Sequence, residues 1–359
     1  MEKKPRLIGI DLLRGIAIYA VTILHSDEGI LVKPPIWTAI AQFSGFAVPF
    51  FLATSFYLTT ERLYASARPY NLKSRLTRLL VPYGIWSILY LLYKTFKYTL
   101  KHDFDKLLNI FQDPVAIIFL GGAAFHLYFL PLLASGTVLL KLTEFLIKHK
   151  PQIKYLILFF ILSLIAYQWL LVTANSFRLD LNTAFQSLVT QNYLANNPAI
   201  RLFLVWLSWV IRCTPYIFLA TILNQKNIKE KLLKFANNNL IVCCIGFVIF
   251  NIYGQLSFPE SIYEVFRGYA ALLVAISLST KLRENSLVSK LGACAFGIYL
   301  VHLLVVEFFQ SVEKRIYPHD EPISTAALIA FSLLSFVISW VIVFYLNKQK
   351  YLARLLFGA

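Results

Sequence analysis

The chain has 359 residues, of which 58% are hydrophobic and only 14% are charged, and its mean hydropathy is +0.65. A soluble chain carries about 25% charged residues, so this composition excludes a soluble globular protein of this length. The apolar residues recur in stretches near the ~20 residues that cross a hydrocarbon core of ~30 Å. The net charge of +16 is concentrated in short loops between these stretches, and we interpret it as a membrane-orientation signal rather than a nucleic-acid-binding surface.

Ten apolar spans follow one another along the chain and predict an all-α integral membrane protein that forms one domain over all 359 residues. The first stretch has a basic start like that of a signal peptide, but Asp11 and Arg14 interrupt its apolar run, so we expect this span to be retained. Asp113 and Pro114 interrupt the segment 107–122, where we expect a re-entrant or interfacial piece. The predicted spans are 8–26, 36–59, 79–94, 125–147, 155–173, 201–223, 240–256, 262–279, 291–309 and 323–346.

The distribution of Lys and Arg predicts where the termini lie. With the N-terminus inside, 21 of the 34 positive residues fall in cytoplasmic loops, nine in outer loops and four within spans. Because positive residues concentrate on the cytoplasmic side, we predict that both termini are cytoplasmic. The longest outer segments, 94–106 and 174–200, are rich in polar and aromatic residues and are candidates for contact with a polar acceptor.

The first span carries ionisable side chains, which are functional candidates because charge is costly inside a membrane. Arg14 and His25 are eleven residues apart, so they return to within ~20° of one helix face with a rise of ~16 Å. A neutral imidazole at His25 can take the proton of an attacking hydroxyl, with Asp27 or Glu28 to orient the ring. Two plainer interpretations compete. Arg14 would only neutralise Asp11, three residues earlier, and His25 would be only a wetted polar tip.

Five motifs, in order along the chain, resemble those of the integral-membrane acyltransferase family 3. The opening IDLLRGIAIYAVTILH is similar to that family's first-span signature, an arginine and a histidine separated by ten residues, here Arg14 and His25. Thr54-Ser55 replaces the usual Ser-Gly, Tyr128 replaces a common Trp, and Ala295 stands where many members have serine. The other four motifs are PFFLATSF at 49–56, RLTRLLVPY at 75–83, HLYFLPLL at 126–133 and LGACAFGIYLVH at 291–302.

The resemblance implies that an acyl group moves from a cytosolic acyl-CoA, with acetyl-CoA foremost, to a hydroxyl of a glycan or glycolipid. It also implies a multi-pass protein of the bacterial cytoplasmic membrane. Arg75 and Arg78 would bind the CoA phosphates, since arginines at i and i+3 can present two guanidinium forks to phosphate, and Arg14 could share this pocket. The alternative for the pair is anchoring to the phosphates of membrane lipid.

Three further side chains are candidates for substrate contacts. His126 begins the fourth span, whereas Arg212 and Arg267 lie in the middle of apolar spans, where snorkelling to the interface is difficult. Either these arginines pair with internal carboxylates such as Glu307, or they line a substrate path. We expect His302 to be a packed, hydrogen-bonded histidine rather than a second base. No residue cluster has the pattern of a metal site, so we expect no metal.

The competing hypothesis is an exporter or flippase of a polysaccharide or lipid-linked glycan, for which many spans and intramembrane charges would also be expected. The arginine pair at 75 and 78, together with Arg14 and His25 on one face, favours the CoA-dependent enzyme, in which His25 is the general base. The residues are compatible both with direct transfer and with an acyl-enzyme intermediate.

Overall fold

The computed structural model describes residues 7–28, 30, 32–65, 69–173, 184–189, 197–283, 285–316 and 323–358, and their regular structure is helical. A π-turn at Ala116–Leu120 and a 3-10 turn at Phe125–Tyr128 lie between α5 and α6. The helices are α1 (Ile8–Ser26), α2 (Pro35–Ser44), α3 (Ala47–Ala65), α4 (Leu72–Leu100), α5 (Phe104–Ile110), α6 (Phe129–Lys148), α7 (Ile153–Val172), α8 (Pro198–Leu223), α9 (Lys226–Asn238), α10 (Leu240–Ser257), α11 (Glu260–Ser279), α12 (Ser286–Ile316), α13 (Thr325–Leu346) and α14 (Lys350–Phe357).

Ten helical segments of the described chain are long and apolar enough to cross a membrane, which confirms the predicted number. Each coincides with a predicted span, and α2 and α3 together form one of them, Pro35–Ala65. The predicted spans were too short at α4 and α12, because both helices continue into polar residues beyond the apolar run. Such residues can remain helical while their charged heads reach the interface. The cytoplasmic position of both termini stays a prediction.

The chain groups into two compact units, of which the first consists of Met1–Ser55, Lys226–Pro259 and Tyr263–Leu352. In this unit α1 packs closely on α11 and α12. A Cβ at Gly9 of α1 would collide with the backbone of α11, and one at Gly292 of α12 would collide with α1. Glycines let helix backbones approach closely inside a membrane. Helix α1, which carries the predicted catalytic residues, is therefore held on two sides.

The predicted second span, 36–59, is not one continuous helix. It breaks between α2 and α3, where the Gly45 N–H bonds to the Gln42 carbonyl oxygen at 3.2 Å. A side chain at Gly45 would lie 2.8 Å from Nη2 of Arg267. Glycine at this position therefore leaves room for a guanidinium against the C-terminal end of α2.

The second unit consists of Phe56–Gln225, Glu260–Ile262 and Ala353–Ala359. In it, the segment 107–122 forms only short helical pieces, which agrees with the prediction that it is not a span. Tyr83 of α4 fastens this segment, since its hydroxyl donates to the Ile117 carbonyl oxygen and accepts from the Gly121 N–H, both at 3.0 Å. Gly121 has a φ of 81°, which favours glycine. The segment is thus a fixed extension of α4.

Helices α9 and α14, like the short α5, were not predicted because none of them is long or apolar enough to be a span. Helix α9 occupies a lysine-rich stretch that we interpreted as a loop, with its polar and apolar residues on separate faces. Helix α14 ends against α4. The Trp86 indole N–H donates to the Leu356 carbonyl oxygen at 2.9 Å, and the indole ring stacks on the ring of Phe357. The amphipathic pattern of both is typical of helices that lie along a membrane surface.

Candidate active site

The centre of the candidate site is the C-terminal end of α1, where His25 Nδ1 lies 2.6 Å from Glu28 Oε1. Helix α1 ends at Ser26, and Asp27 caps it, so the chain turns and brings Glu28 beside the imidazole. The His25 side chain is 17% exposed and therefore partly accessible. A carboxylate that accepts from Nδ1–H selects the tautomer with its lone pair on Nε2. This arrangement orients the ring as a proton acceptor.

Helix α12 contributes two side chains to the same place. The imidazole rings of His302 and His25 lie 5.4 Å apart, centre to centre, and Gln310 Nε2 donates to the Glu28 backbone oxygen at 3.1 Å. His302 is fully buried, with Nδ1 2.7 Å from the Tyr299 carbonyl oxygen, as expected for a packed, hydrogen-bonded histidine. Its contact with His25 was not predicted, because the spacing between two distant helices carries no sign of it.

Asp27, which we predicted as a catalytic residue that orients His25, does not contact the imidazole. It is buried, and its Oδ2 accepts from Trp37 Nε1 at 3.0 Å and from Lys33 Nζ at 2.8 Å. Asp27 thus ties the end of α1 to the start of α2. From the sequence, either Asp27 or Glu28 was a candidate to orient His25. Because the chain turns after Ser26, Glu28 is the carboxylate that contacts the imidazole.

Arg14 lies on the same continuous helix as His25, so the predicted rise between them holds for α1. Its Nη1 is 3.7 Å from Asp11 Oδ1, and the Arg14 side chain is partly exposed while Asp11 is buried. The ion pair of the plainer interpretation is therefore present. Donor binding by Arg14 stays a prediction.

The predicted phosphate-binding arginines lie in the first turns of α4, in the second unit. Arg75 is half-buried, donates from Nη1 to Thr59 Oγ1 at 3.4 Å and lies 5.4 Å from the ring centre of Tyr70. Burial raises the pKa of Tyr70 to about 12 against the opposing charge of Arg75, so the ring is neutral and the contact is cation–π. Arg78 is exposed. Among the described residues, no carboxylate forms an ion pair with either guanidinium.

His126 and Arg212, two of the predicted substrate contacts, are buried side chains of the second unit. The His126 ring lies edge-on to Tyr90, at 5.1 Å between centres, and to Phe125 at 6.0 Å. Arg212 lies within α8. These rings pack against the imidazole of His126, and substrate contact by either residue stays a prediction.

Arg267, the third predicted substrate contact, has a structural role at the break between α2 and α3. Its Nη2 donates to the Gln42 carbonyl oxygen at 2.7 Å, its Nε donates to Asn251 Oδ1, and its guanidinium lies 5.0 Å from the ring centre of Tyr263. The last carbonyl groups of a helix lack intrahelical partners and attract cations. These contacts give the Arg267 side chain a structural role, and substrate contact by this residue stays a prediction.

Comparison with known proteins gives the reaction class. The model of acyltransferase family 3, described as an acyltransferase domain, matches residues 7–344 and so includes helices of both units. No characterised protein and no solved structure matches the chain. The family match covers nearly the whole chain, and the ten apolar helices are those of a multi-pass membrane protein. The chain therefore belongs to acyltransferase family 3 and is a membrane acyltransferase.

Proposed function

We propose that the protein is an O-acyltransferase that moves an acyl group from acyl-CoA, with acetyl-CoA foremost, to a hydroxyl of a glycan or glycolipid. The family supplies acyl transfer as the reaction class. The observation that carries the proposal is the 2.6 Å contact between His25 and Glu28, because an oriented, partly accessible imidazole is the general base that a hydroxyl acceptor requires.

In this mechanism, His25 Nε2 takes the proton of the acceptor hydroxyl as the hydroxyl oxygen attacks the thioester carbonyl carbon. The ester C–O bond forms, the thioester C–S bond breaks, and the imidazolium returns the proton to the leaving sulfur to give free CoA thiol. The Glu28 carboxylate stabilises the imidazolium between these steps. A positioned base contributes about 10²–10⁴-fold to the rate.

Arg75 and Arg78 are assigned to the donor phosphates. The support is electrostatic, since neither arginine has an ion-pair partner among the described carboxylates, and an incompletely solvated cation such as Arg75 favours a bound anion. The phosphates of CoA provide anions that match two guanidinium forks.

The test uses purified protein with labelled acetyl-CoA and a cell-envelope glycan extract as the acceptor. We expect wild type to release CoA thiol and to label the glycan, and His25→Gln to lose about 10²–10⁴-fold in rate while it still binds acetyl-CoA. His149→Gln is the matched control, because His149 caps the end of α6 and is exposed. Near wild-type turnover by His25→Gln would reject the base, and glycan passage across vesicles without thiol release would favour the exporter.

A further inference from the structure

Three arginines of the second unit lie together at the end of α3 and the start of α4, and we call them the arginine cluster. Arg75 of α4 donates from Nη1 to Thr59 Oγ1 of α3 at 3.4 Å. Arg62 follows Thr59 by three residues on α3, and Arg78 follows Arg75 by three residues on α4. Residues at this spacing are neighbours on a helix surface. Arg62 and Arg78 are accordingly close enough to Arg75 for their positive charges to act on it.

The cluster has an uncompensated positive charge. Arg62 and Arg78 are exposed, and Arg75 is half-buried. Within the described part of the chain, no carboxylate forms an ion pair with any of the three guanidinium groups. Glu61 is next to Arg62 in the sequence, but it is buried and its charge acts on Tyr57. Because like charges repel one another, an anion that bridges the three arginines is favoured.

The support of the cluster adds no net negative charge to it. The Tyr70 ring, whose centre lies 5.4 Å from the Arg75 guanidinium, packs beneath that group. The Tyr70 N–H donates to Glu144 Oε1 at 3.1 Å, which fixes the position of the ring. Glu144 is buried and is already paired, with Lys141 Nζ at 2.7 Å and Lys148 Nζ at 3.1 Å. Two lysines therefore balance the charge of the carboxylate that holds Tyr70.

The number of guanidinium groups favours a ligand with several phosphates. Each guanidinium presents a planar fork of donors that matches the oxygens of one phosphate. The headgroup of a simple anionic phospholipid carries one phosphate, whereas CoA carries a diphosphate and a separate ribose phosphate. A ligand of the second kind can engage all three arginines at once.

We propose that Arg62 is a third donor-binding residue, which binds the phosphates of acyl-CoA together with Arg75 and Arg78. This inference rests on the proposed function for the identity of the donor. In the sequence, Arg62 is only one of the positive residues of a predicted cytoplasmic loop, because no local pattern relates it to Arg75. The phosphate of a membrane lipid is the competing ligand.

Calorimetry with acetyl-CoA on the full-length protein in detergent tests the proposal. We expect Arg62→Gln to weaken binding about tenfold, the lower end for a lost charge-assisted hydrogen bond, because Arg62 is exposed. The matched control is Lys73→Gln, which removes an exposed positive charge from the first turn of α4. Lys73 lies about 200° around the helix from Arg75, so this variant should bind acetyl-CoA as wild type does.

The thiol-release assay gives a second readout. Arg62→Gln should raise KM for acetyl-CoA by the same factor and leave kcat nearly unchanged. With acetyl-pantetheine, a donor without phosphate, kcat/KM should be the same in wild type and variant. Arg62→Lys should recover part of the affinity for acetyl-CoA, because it keeps the charge without the guanidinium fork.

The outcomes separate this inference from the proposed function. Equal effects of Arg62→Gln and Lys73→Gln, or an equal loss with acetyl-pantetheine, would overturn the inference. So would an Arg62→Gln protein that binds acetyl-CoA normally but is no longer stabilised by phosphatidylglycerol vesicles, since the ligand would then be lipid. A loss in Arg75→Gln/Arg78→Gln without one in Arg62→Gln would overturn it and leave the proposed donor site intact. Arg62-dependent binding of acetyl-CoA without thiol release would support the cluster and reject the proposed reaction.

Discussion

Replacing Glu28 with glutamine is expected to slow acyl transfer without weakening donor binding, because Glu28 acts on the base. The substitution keeps the shape of the side chain and removes its charge. A hydrogen bond to a charged group is worth about 1.5–3 kcal/mol, and 1.36 kcal/mol of barrier is about tenfold in rate. Glu28 is 39% exposed, so water weakens the pair and the lower end applies. We expect kcat to fall about tenfold with KM for acyl-CoA nearly unchanged.

The adjacent carboxylate provides the matched control. Asp27→Asn removes a charge that Trp37 and Lys33 hold, so it should lower the thermal midpoint and leave the kcat of the folded fraction near wild type. Glu28→Asp, which keeps the charge, should recover part of the rate. The assay follows thiol release from acetyl-CoA together with thermal unfolding. The reasoning is refuted if Asp27→Asn loses turnover while Glu28→Gln keeps it, since the orienting carboxylate would then be Asp27.

Three further outcomes are expected. Arg75→Gln/Arg78→Gln should weaken acetyl-CoA binding at least tenfold by calorimetry, because about 1.5–3 kcal/mol is lost per charged hydrogen bond. Arg75→Lys/Arg78→Lys should fail almost as badly if CoA is the ligand, whereas lipid anchoring would tolerate lysine. Arg267→Met removes the donor to the buried Asn251 Oδ1, which should cost about 1–3 kcal/mol and lower the thermal midpoint. A raised KM in a protein of unchanged stability would instead support a substrate role for Arg267. The two oxygens of Asp113 accept hydrogen bonds from Nη1 and Nη2 of Arg201. Asp113→Asn removes this counter-ion and should destabilise the protein at neutral pH by about 2 kcal/mol, less than the ~3–5 kcal/mol lost when a fully buried ion pair is broken. The depressed pKa of Asp113 means that its contribution is present above the unfolded pKa near ~3.9 and is lost as pH falls through the folded value. The difference in thermal midpoint between wild type and variant should therefore disappear in acid. A difference that persists would contradict a stabilising ion pair between Asp113 and Arg201.

The membrane fold could be predicted from the sequence because a helix that crosses a membrane satisfies its backbone hydrogen-bonding groups internally and presents apolar side chains to lipid. Each span is therefore visible in the sequence as an apolar run. The errors lie where this rule does not decide. The run at 36–59 shows no sign of its interruption at Gly45, because the break depends on a guanidinium from a helix more than two hundred residues later. Helix α9 is amphipathic, and its four lysines indicate a cytoplasmic loop as readily as a surface helix.

The geometry around His25 was predicted in part. The positions of Arg14 and His25 on one helix follow from spacing alone, but the choice between Asp27 and Glu28 depends on where α1 ends. A helix boundary is uncertain by a few residues in a sequence, and here one residue decides which carboxylate meets the imidazole. Contacts from α12, through His302 and Gln310, depend on tertiary packing and have no local signal.

Three arginines of the chain differ in the groups that already compensate their positive charge. Arg267 is held by helix-end carbonyl groups and Arg201 by both oxygens of a carboxylate, so binding a ligand anion would require each to give up contacts it already has. Arg75 has a hydroxyl and a neutral aromatic ring, which compensate a cation only weakly. Taking a charge partly out of water without a counter-ion is unfavourable, so an anion from outside the chain gains the most free energy at Arg75. Among these three, Arg75 is therefore the arginine whose positive charge the fold compensates least.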